Sequence, residues 1–183
     1  MRTRTLLSLA FVSMLAAPLS AQYVKVGGES MYPTKDIVSN AVNSKDHTTL
    51  VAAVKAAGLV STLQGKGPFT VFAPINGAFA VLPAGTVDNL LKPENKATLT
   101  AVLTYHVLAG RFTAKDIVKA IKKGKGTATF TTVNGATLTA MMNGPMNVVL
   151  KDVNGGIASI STYDVAQSNG VIHVIDHVLL PKM

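Results

Sequence analysis

The last strand of the chain is the feature that most constrains its fold. Residues 169–181 begin with Asn169-Gly170 and continue into the apolar run Val171-Ile172-His173-Val174-Ile175. Asn-Gly favours a turn because both residues tolerate positive φ, and a run of Val and Ile is typical of a strand buried on both faces. Such a strand lies in the middle of a sheet. Alternation of side chains places His173 among apolar neighbours, so we expect its imidazole to be a hydrogen-bonded structural group in the core.

The first residues have the pattern of a secretory signal peptide. Arg2 and Arg4 precede an apolar run from Leu6 to Ala17, and small residues follow up to Ala21. The run is shorter than the roughly 20 residues of a membrane-spanning helix. We therefore expect a signal peptide at 1–21 and a secreted protein, extracellular or periplasmic, without a membrane span. Residues 22–34 are expected to be a flexible lead, and 35–183 a single domain.

Composition excludes several classes of function. The chain contains no Cys, so cysteine nucleophiles and cysteine metal sites are excluded, and the core must hold without disulfides. Its formal charge of +8 falls to +6 without Arg2 and Arg4, which favours anionic surfaces such as acidic glycans or lipid headgroups. With one Arg left after the signal, no Trp and few aromatic residues, we do not expect nucleic acid as a partner.

The order of the predicted elements indicates an α+β fold. Helices are predicted at 36–43, at 47–57 with Asp46 as cap and Gly58 as stop, and at 114–123 with Thr113 as cap. Strands are predicted at 69–73, 127–133, 136–142, 147–151 and 157–162, with Asn134-Gly135 as the clearest hairpin turn. Because most helices come first and most strands last, the sheet is expected to be largely antiparallel.

Three segments together resemble one known family. They are Phe69-Thr70-Val71-Phe72-Ala73-Pro74-Ile75-Asn76-Gly77-Ala78-Phe79, the pair Tyr105-His106, and the closing strand from Asn169 to Asp176. In this order and spacing they resemble a fasciclin-type domain over residues 35–181. The resemblance implies a wedge or sandwich of about seven mainly antiparallel strands with helices packed along one edge. It also implies a secreted, non-enzymatic domain for cell adhesion or matrix interaction.

The resemblance also implies candidate contact residues. In animal relatives an Asp-Ile pair before the last strand and the Tyr-His region are credited with adhesion, and the matching positions here are Asp164-Val165 and Tyr105-His106. The expected partner is a cell-surface or matrix protein or a glycan, and weak self-association is left open. Alternatively, Asp164 is an ordinary turn or surface acid, and of Tyr105 and His106 one ring lies in the core while the other bonds a neighbouring loop.

The first segment departs from the family pattern at two positions. Ile75 stands where Thr is common, and Gly77 where an acidic or polar residue is common. Asn76 is then expected to cap the following helix alone, which leaves 74–77 less tightly held.

Reaction chemistry is not expected. His173 and His177 are four apart, about 13 Å in an extended strand, so one metal ion cannot bridge them. Ser-elbow, zinc-helix and phosphate-loop motifs are missing from the sequence. We expect no enzyme activity, no metal and no cofactor.

Two further features remain candidates for function. A lysine run, Lys115, Lys119, Lys122, Lys123 and Lys125, is either a solvated helix face or a patch for anionic polymers. An alternative function is an extracellular carrier of a small apolar ligand, lined in part by Met141, Met142 and Met146. A deep apolar cavity would favour the carrier.

Overall fold

The first element among the described residues is a short hairpin that the sequence did not indicate. The computed structural model describes residues 23–182 and begins with β1 (Val24–Val26) and β2 (Glu29–Met31), which pair antiparallel. Gly27 and Gly28 form its turn with positive φ angles of 61° and 80°. Val26 and Met31 are buried in the core, so the expectation of a flexible lead at 22–34 is wrong for this hairpin. The predicted signal peptide lies outside the described residues.

Seven α-helices lie in the part of the chain that the structure describes. They are α1 (Ile37–Ala41), α2 (Thr48–Ala57), α3 (Val60–Leu63), α4 (Asn76–Ala80), α5 (Thr86–Leu90), α6 (Lys96–Tyr105) and α7 (Ala114–Lys123). Short 3₁₀ helices occupy Lys45–His47 and Pro93–Asn95. Gly58 ends α2 in the left-handed conformation, as predicted, whereas Asp46 lies within the first 3₁₀ helix and does not cap α2.

Seven strands form the main sheet. They are β3 (Phe69–Pro74), β4 (Val107–Ala109), β5 (Thr127–Thr131), β6 (Thr137–Asn143), β7 (Asn147–Lys151), β8 (Ile157–Gln167) and β9 (Gly170–Ile175). Their order is β4-β3-β9-β8-β7-β6-β5, and every neighbouring pair is antiparallel except β3 and β9. The predicted α+β class with about seven mainly antiparallel strands is confirmed.

The central position of β9 explains its composition. All six of its residues are buried, as expected for a strand that is paired on both sides and covered on both faces. Ile172 and Val174 belong to a core shared with α1, α2 and α6. Ile175 belongs to a second core, in which Ile117 and Ile121 of α7 pack against the sheet. His173 lies between these residues in β9 and is therefore surrounded by the two cores.

Candidate functional site

His173 is the polar centre of the molecule. It is fully buried in β9, stacked at 5.7 Å between ring centres on Phe72 of the neighbouring strand β3. Its Nδ1 accepts from the backbone N–H of Asp164 at 3.2 Å. Nε2 therefore carries the ring proton and donates to the carbonyl of Phe112 at 2.9 Å. Burial lowers the pKa of His173, so the ring is neutral at neutral pH.

Asp164 lies in a bulge of β8, not in a loop before the last strand. Between Thr162 and Val165 the register against β9 shifts, and Asp164 has a positive φ of 55°. Its Oδ1 accepts from the N–H of Ala114, the first residue of α7, at 2.8 Å. A carboxylate at a helix start satisfies a free N–H and opposes the positive end of the helix dipole. The exposed acid therefore holds the start of α7.

Val165 is not exposed. Its side chain has no solvent-accessible surface and packs in the core that contains Ile172 and Val174. The expectation of an exposed contact is therefore wrong for Val165. It is paired with Ile172 of β9, and its side chain lies on the core face of β8, whereas that of Asp164 is exposed.

Tyr105, the last residue of α6, and His106, its C-cap, are both buried. The Tyr105 hydroxyl donates to the carbonyl of Thr137 at 2.8 Å and accepts from the N–H of Val153 at 3.2 Å. His106 Nδ1 donates to the Val102 carbonyl at 2.8 Å. Its Nε2 accepts from the N–H of Leu179 at 3.0 Å. Burial lowers the pKa of His106 to about 4. Both rings join distant segments and offer no exposed contact.

Asn76 makes different bonds from those expected. Its own helix, α4, has Ile75 at the cap position without a side-chain bond. Asn76 Oδ1 instead accepts from the N–H of Thr49 at 3.0 Å, in the first turn of α2, and its Nδ2 donates to the carbonyl of Lys45 at 2.8 Å. The residue thus caps α2 from a distant part of the chain, and the expected cap on α4 is wrong.

The lysine run forms one exposed surface, here called the lysine face: Lys115, Lys119, Lys122, Lys123 and Lys125. Thr113 and Asp116 form a capping box at the start of α7, and Ile117 and Ile121 anchor its buried side. All five lysines are exposed, and none forms a salt bridge within residues 23–182. Among exposed groups on the same helix, only Asp116 carries opposite charge. The face is therefore a concentrated positive surface.

An apolar cavity of about 210 Å³ lies inside the first core. Residues of α1, α2 and α3 line one side, and β3, β9 and the end of α6 line the other. Met141, Met142 and Met146 are not among the lining residues, and Met146 is exposed at the turn between β6 and β7. The expected methionine lining is therefore wrong. The carrier alternative placed its ligand between the helices and the sheet, where this cavity lies, but its lining residues were not identified, because they come from segments far apart in the chain.

Within residues 23–182, no group of three or more His, Asp or Glu side chains is placed to hold a metal ion. No helix in the same range is long and apolar enough to cross a bilayer.

These observations define a class of protein: a small α+β domain whose buried polar residues connect distant segments of one central sheet. The chain belongs to the fasciclin domain family, whose sequence profile matches residues 45–181. The resemblance seen in the three sequence segments is confirmed.

Bacterial and animal relatives share this domain. The Synechocystis protein sll1483 is 47% identical over 149 residues, covering 80% of this chain and 74% of that protein. The immunogenic protein MPB70 of Mycobacterium bovis is 36% identical over 146 residues, 77% of this chain and 66% of that protein. Human periostin is 32% identical over 136 residues, which cover 74% of this chain but 15% of periostin.

A solved structure has the same fold. It is the FAS1 domain pair from the insect cell adhesion molecule fasciclin I, with a TM-score of 0.71 and 20% identity. The match covers 81% of this chain and 52% of the insect chain.

Proposed function

We propose that this chain is a secreted, non-enzymatic domain that mediates cell adhesion or interaction with an extracellular surface or matrix. Membership of the fasciclin family supports this function, and the solved relative of the same fold is described as a cell adhesion molecule. An apolar stretch that follows Arg2 and Arg4 at the start of the chain supports an extracellular or periplasmic location, with the signal at 1–21 removed.

The lysine face of α7 is the observation that carries the proposal. Its lysines are exposed and lie outside the salt bridges of residues 23–182, so they are available to an anionic polymer. The partner we propose is an acidic glycan, or an acidic protein surface, on a cell or in a matrix. Long-range attraction by such a surface raises the rate of encounter and weakens as salt rises.

Asp164, Tyr105, His106 and Val165 act in this proposal as supporting residues. Asp164 fixes the start of α7 through Ala114, and His173 fixes the bulge that presents Asp164. The other three are buried and hold the sheet that α7 packs against. His106 and His173 each use both ring nitrogens in structural hydrogen bonds, which agrees with a structural role for these two histidines.

Binding of the purified protein to immobilised cell envelopes and matrix polymers, at low and high salt, tests the proposal. The variant Lys119→Ala/Lys122→Ala/Lys123→Ala should bind about tenfold more weakly at low salt. Asp164→Asn is the matched probe of the bulge, because Asn tolerates positive φ and keeps an oxygen acceptor for Ala114 while it removes the charge.

The two variants give distinct answers. If Asp164→Asn abolishes binding that persists at high salt, the acid itself is the contact. If neither variant nor salt changes the binding, the lysine face is not the contact surface. If wild type binds none of the surfaces, adhesion is refuted.

A second function is favoured by the apolar cavity. A mostly apolar cavity with access to solvent is the form expected of a small-molecule site, so the alternative is an extracellular carrier of a small apolar ligand. The cavity lies among α1, α2 and β3, away from the predicted methionines.

A further inference from the structure

The interior of the cavity offers a ligand almost no free polar group. Most of its lining consists of aliphatic side chains such as Val54, Leu63 and Ile172. The two polar side chains that reach its wall from the α6 end, Thr104 and His106, already bond elsewhere. Thr104 Oγ1 donates to the carbonyl of Thr100 at 2.7 Å, and both nitrogens of His106 are engaged. The interior therefore suits an apolar group and gives no partner to a polar one.

The mouth of the cavity has a different character. Four lining residues are exposed to solvent and mark where the cavity opens: Val42, Val133, Lys55 and Thr62. Val42 is 45% exposed and Val133 is 46% exposed. A single exposed apolar residue is common on protein surfaces, but these two both line the same cavity. Lys55 is the one charged residue among those that line the cavity in the described range, and it forms no salt bridge there.

The volume limits the size of the ligand. An engineered cavity of about 150 Å³ holds one benzene molecule, so about 210 Å³ has room for roughly eight carbon atoms. A long lipid chain would not fit within this volume, whereas a short chain or a single substituted ring would.

We propose that the cavity binds a monocarboxylate with an apolar tail of roughly seven or eight carbon atoms. The tail occupies the space between α2 and β3, and the carboxylate lies at the mouth beside the Lys55 ammonium. This proposal deepens the carrier function and does not depend on adhesion, since Lys55 is on α2 and the lysine face is on and just after α7.

Calorimetric titration of the purified full chain with octanoate tests the proposal. We expect saturable binding of one octanoate per chain, and weaker binding of butyrate, whose tail fills less of the cavity. Lys55→Gln should weaken octanoate binding about fivefold, which corresponds to about 1 kcal/mol, the upper end for a surface ion pair. Lys119→Gln is the matched control: it removes the same charge from the lysine face and should leave octanoate binding unchanged.

A neutral ligand separates the two parts of the site. Octanol has the same length without the charge, so it should bind equally to wild type and to Lys55→Gln. Val54→Phe fills the cavity from its wall and should abolish binding of both ligands, with far-UV circular dichroism as the check on folding. Lys55 is exposed, so Lys55→Gln should fold normally. Its octanoate affinity therefore still tests the proposal if Val54→Phe does not fold.

Three results would overturn the proposal. The cavity is not a binding site if the heat of octanoate binding does not saturate. The same holds if no binding heat is detected up to about ten millimolar octanoate, a concentration that would reveal even very weak binding. Equal losses for Lys55→Gln and Lys119→Gln would reduce the effect to net charge. Unchanged octanoate binding by a folded Val54→Phe would place the ligand elsewhere. Adhesion results do not bear on this proposal: a lysine-face variant that loses envelope adhesion should still bind octanoate as the wild type does.

Discussion

Replacing His173 with Leu tests the polar centre of the sheet. Leu keeps a similar volume but leaves the N–H of Asp164 and the carbonyl of Phe112 without their partner. A buried group that loses its only partner costs about 1–3 kcal/mol. Both of these groups are only partly buried, so water can replace part of the lost hydrogen bonding. We therefore expect His173→Leu to lower the free energy of unfolding by about 1–3 kcal/mol in total, rather than by that amount for each group.

Urea unfolding followed by far-UV circular dichroism measures this loss. With a slope near 2 kcal/mol per molar urea for a small domain, the midpoint should fall by roughly 0.5–1.5 M. His177→Leu is the control, since His177 is exposed and bonds only the adjacent Asp176 within residues 23–182; it should change stability by no more than about 0.5 kcal/mol. Coincident midpoints for wild type and His173→Leu would refute the structural role assigned to His173.

The remaining predictions concern acid stability and helix capping. Burial lowers the pKa of His106 to about 4, so the unfolded chain binds this proton more readily than the folded one. The stability from neutral His106 is therefore fully present above pH 6.5 and is lost as pH falls from 6.5 towards 4, by about 3 kcal/mol in all. Urea midpoints between pH 7 and pH 4 check this, and a flat profile would contradict it. Asn76→Ala should cost about 1 kcal/mol because Thr49 loses its cap acceptor; an unchanged melting temperature would count against that bond. Thr113→Ala should cost a similar amount through the capping box of α7, measured in the same way, with Thr113→Ser expected to retain most of the stability.

Elements set by nearby residues could be predicted from the sequence. β9 was found because its apolar run and Asn-Gly turn are continuous in the chain. The helix at 114–123 was found because Thr113 provides a cap and Ile117 and Ile121 repeat at helical spacing. The end of α2 at Gly58 was found because a glycine follows the last apolar turn. Each of these signals lies within a few residues of the element it defines.

Features that depend on distant contacts could not be predicted in this way. Asn76 bonds Thr49, which is 27 positions earlier, and so caps a helix other than its own. The bulge at Asp164 inserts an extra residue into β8, and no sequence period marks its position. Which of Tyr105 and His106 lies in the core could not be predicted, and both are buried because each ring bonds a segment far along the chain, Tyr105 at Thr137 and His106 at Leu179. The cavity requires several separate segments to enclose one space.

We propose that α7 presents the surface through which this fasciclin domain binds anionic partners. The most direct measurement is the dissociation constant of the purified protein for an immobilised acidic glycan, at about 0.05 M and about 0.5 M salt. Over this range the Debye screening length falls from more than about 10 Å to a few ångströms. For the variant Lys119→Ala/Lys122→Ala/Lys123→Ala we predict about tenfold weaker binding at low salt, because three exposed charge pairs contribute about 0.5 kcal/mol each. Wild type should weaken towards the variant as salt rises. Equal affinity of the two proteins at low salt, with no dependence on salt, would contradict this proposal.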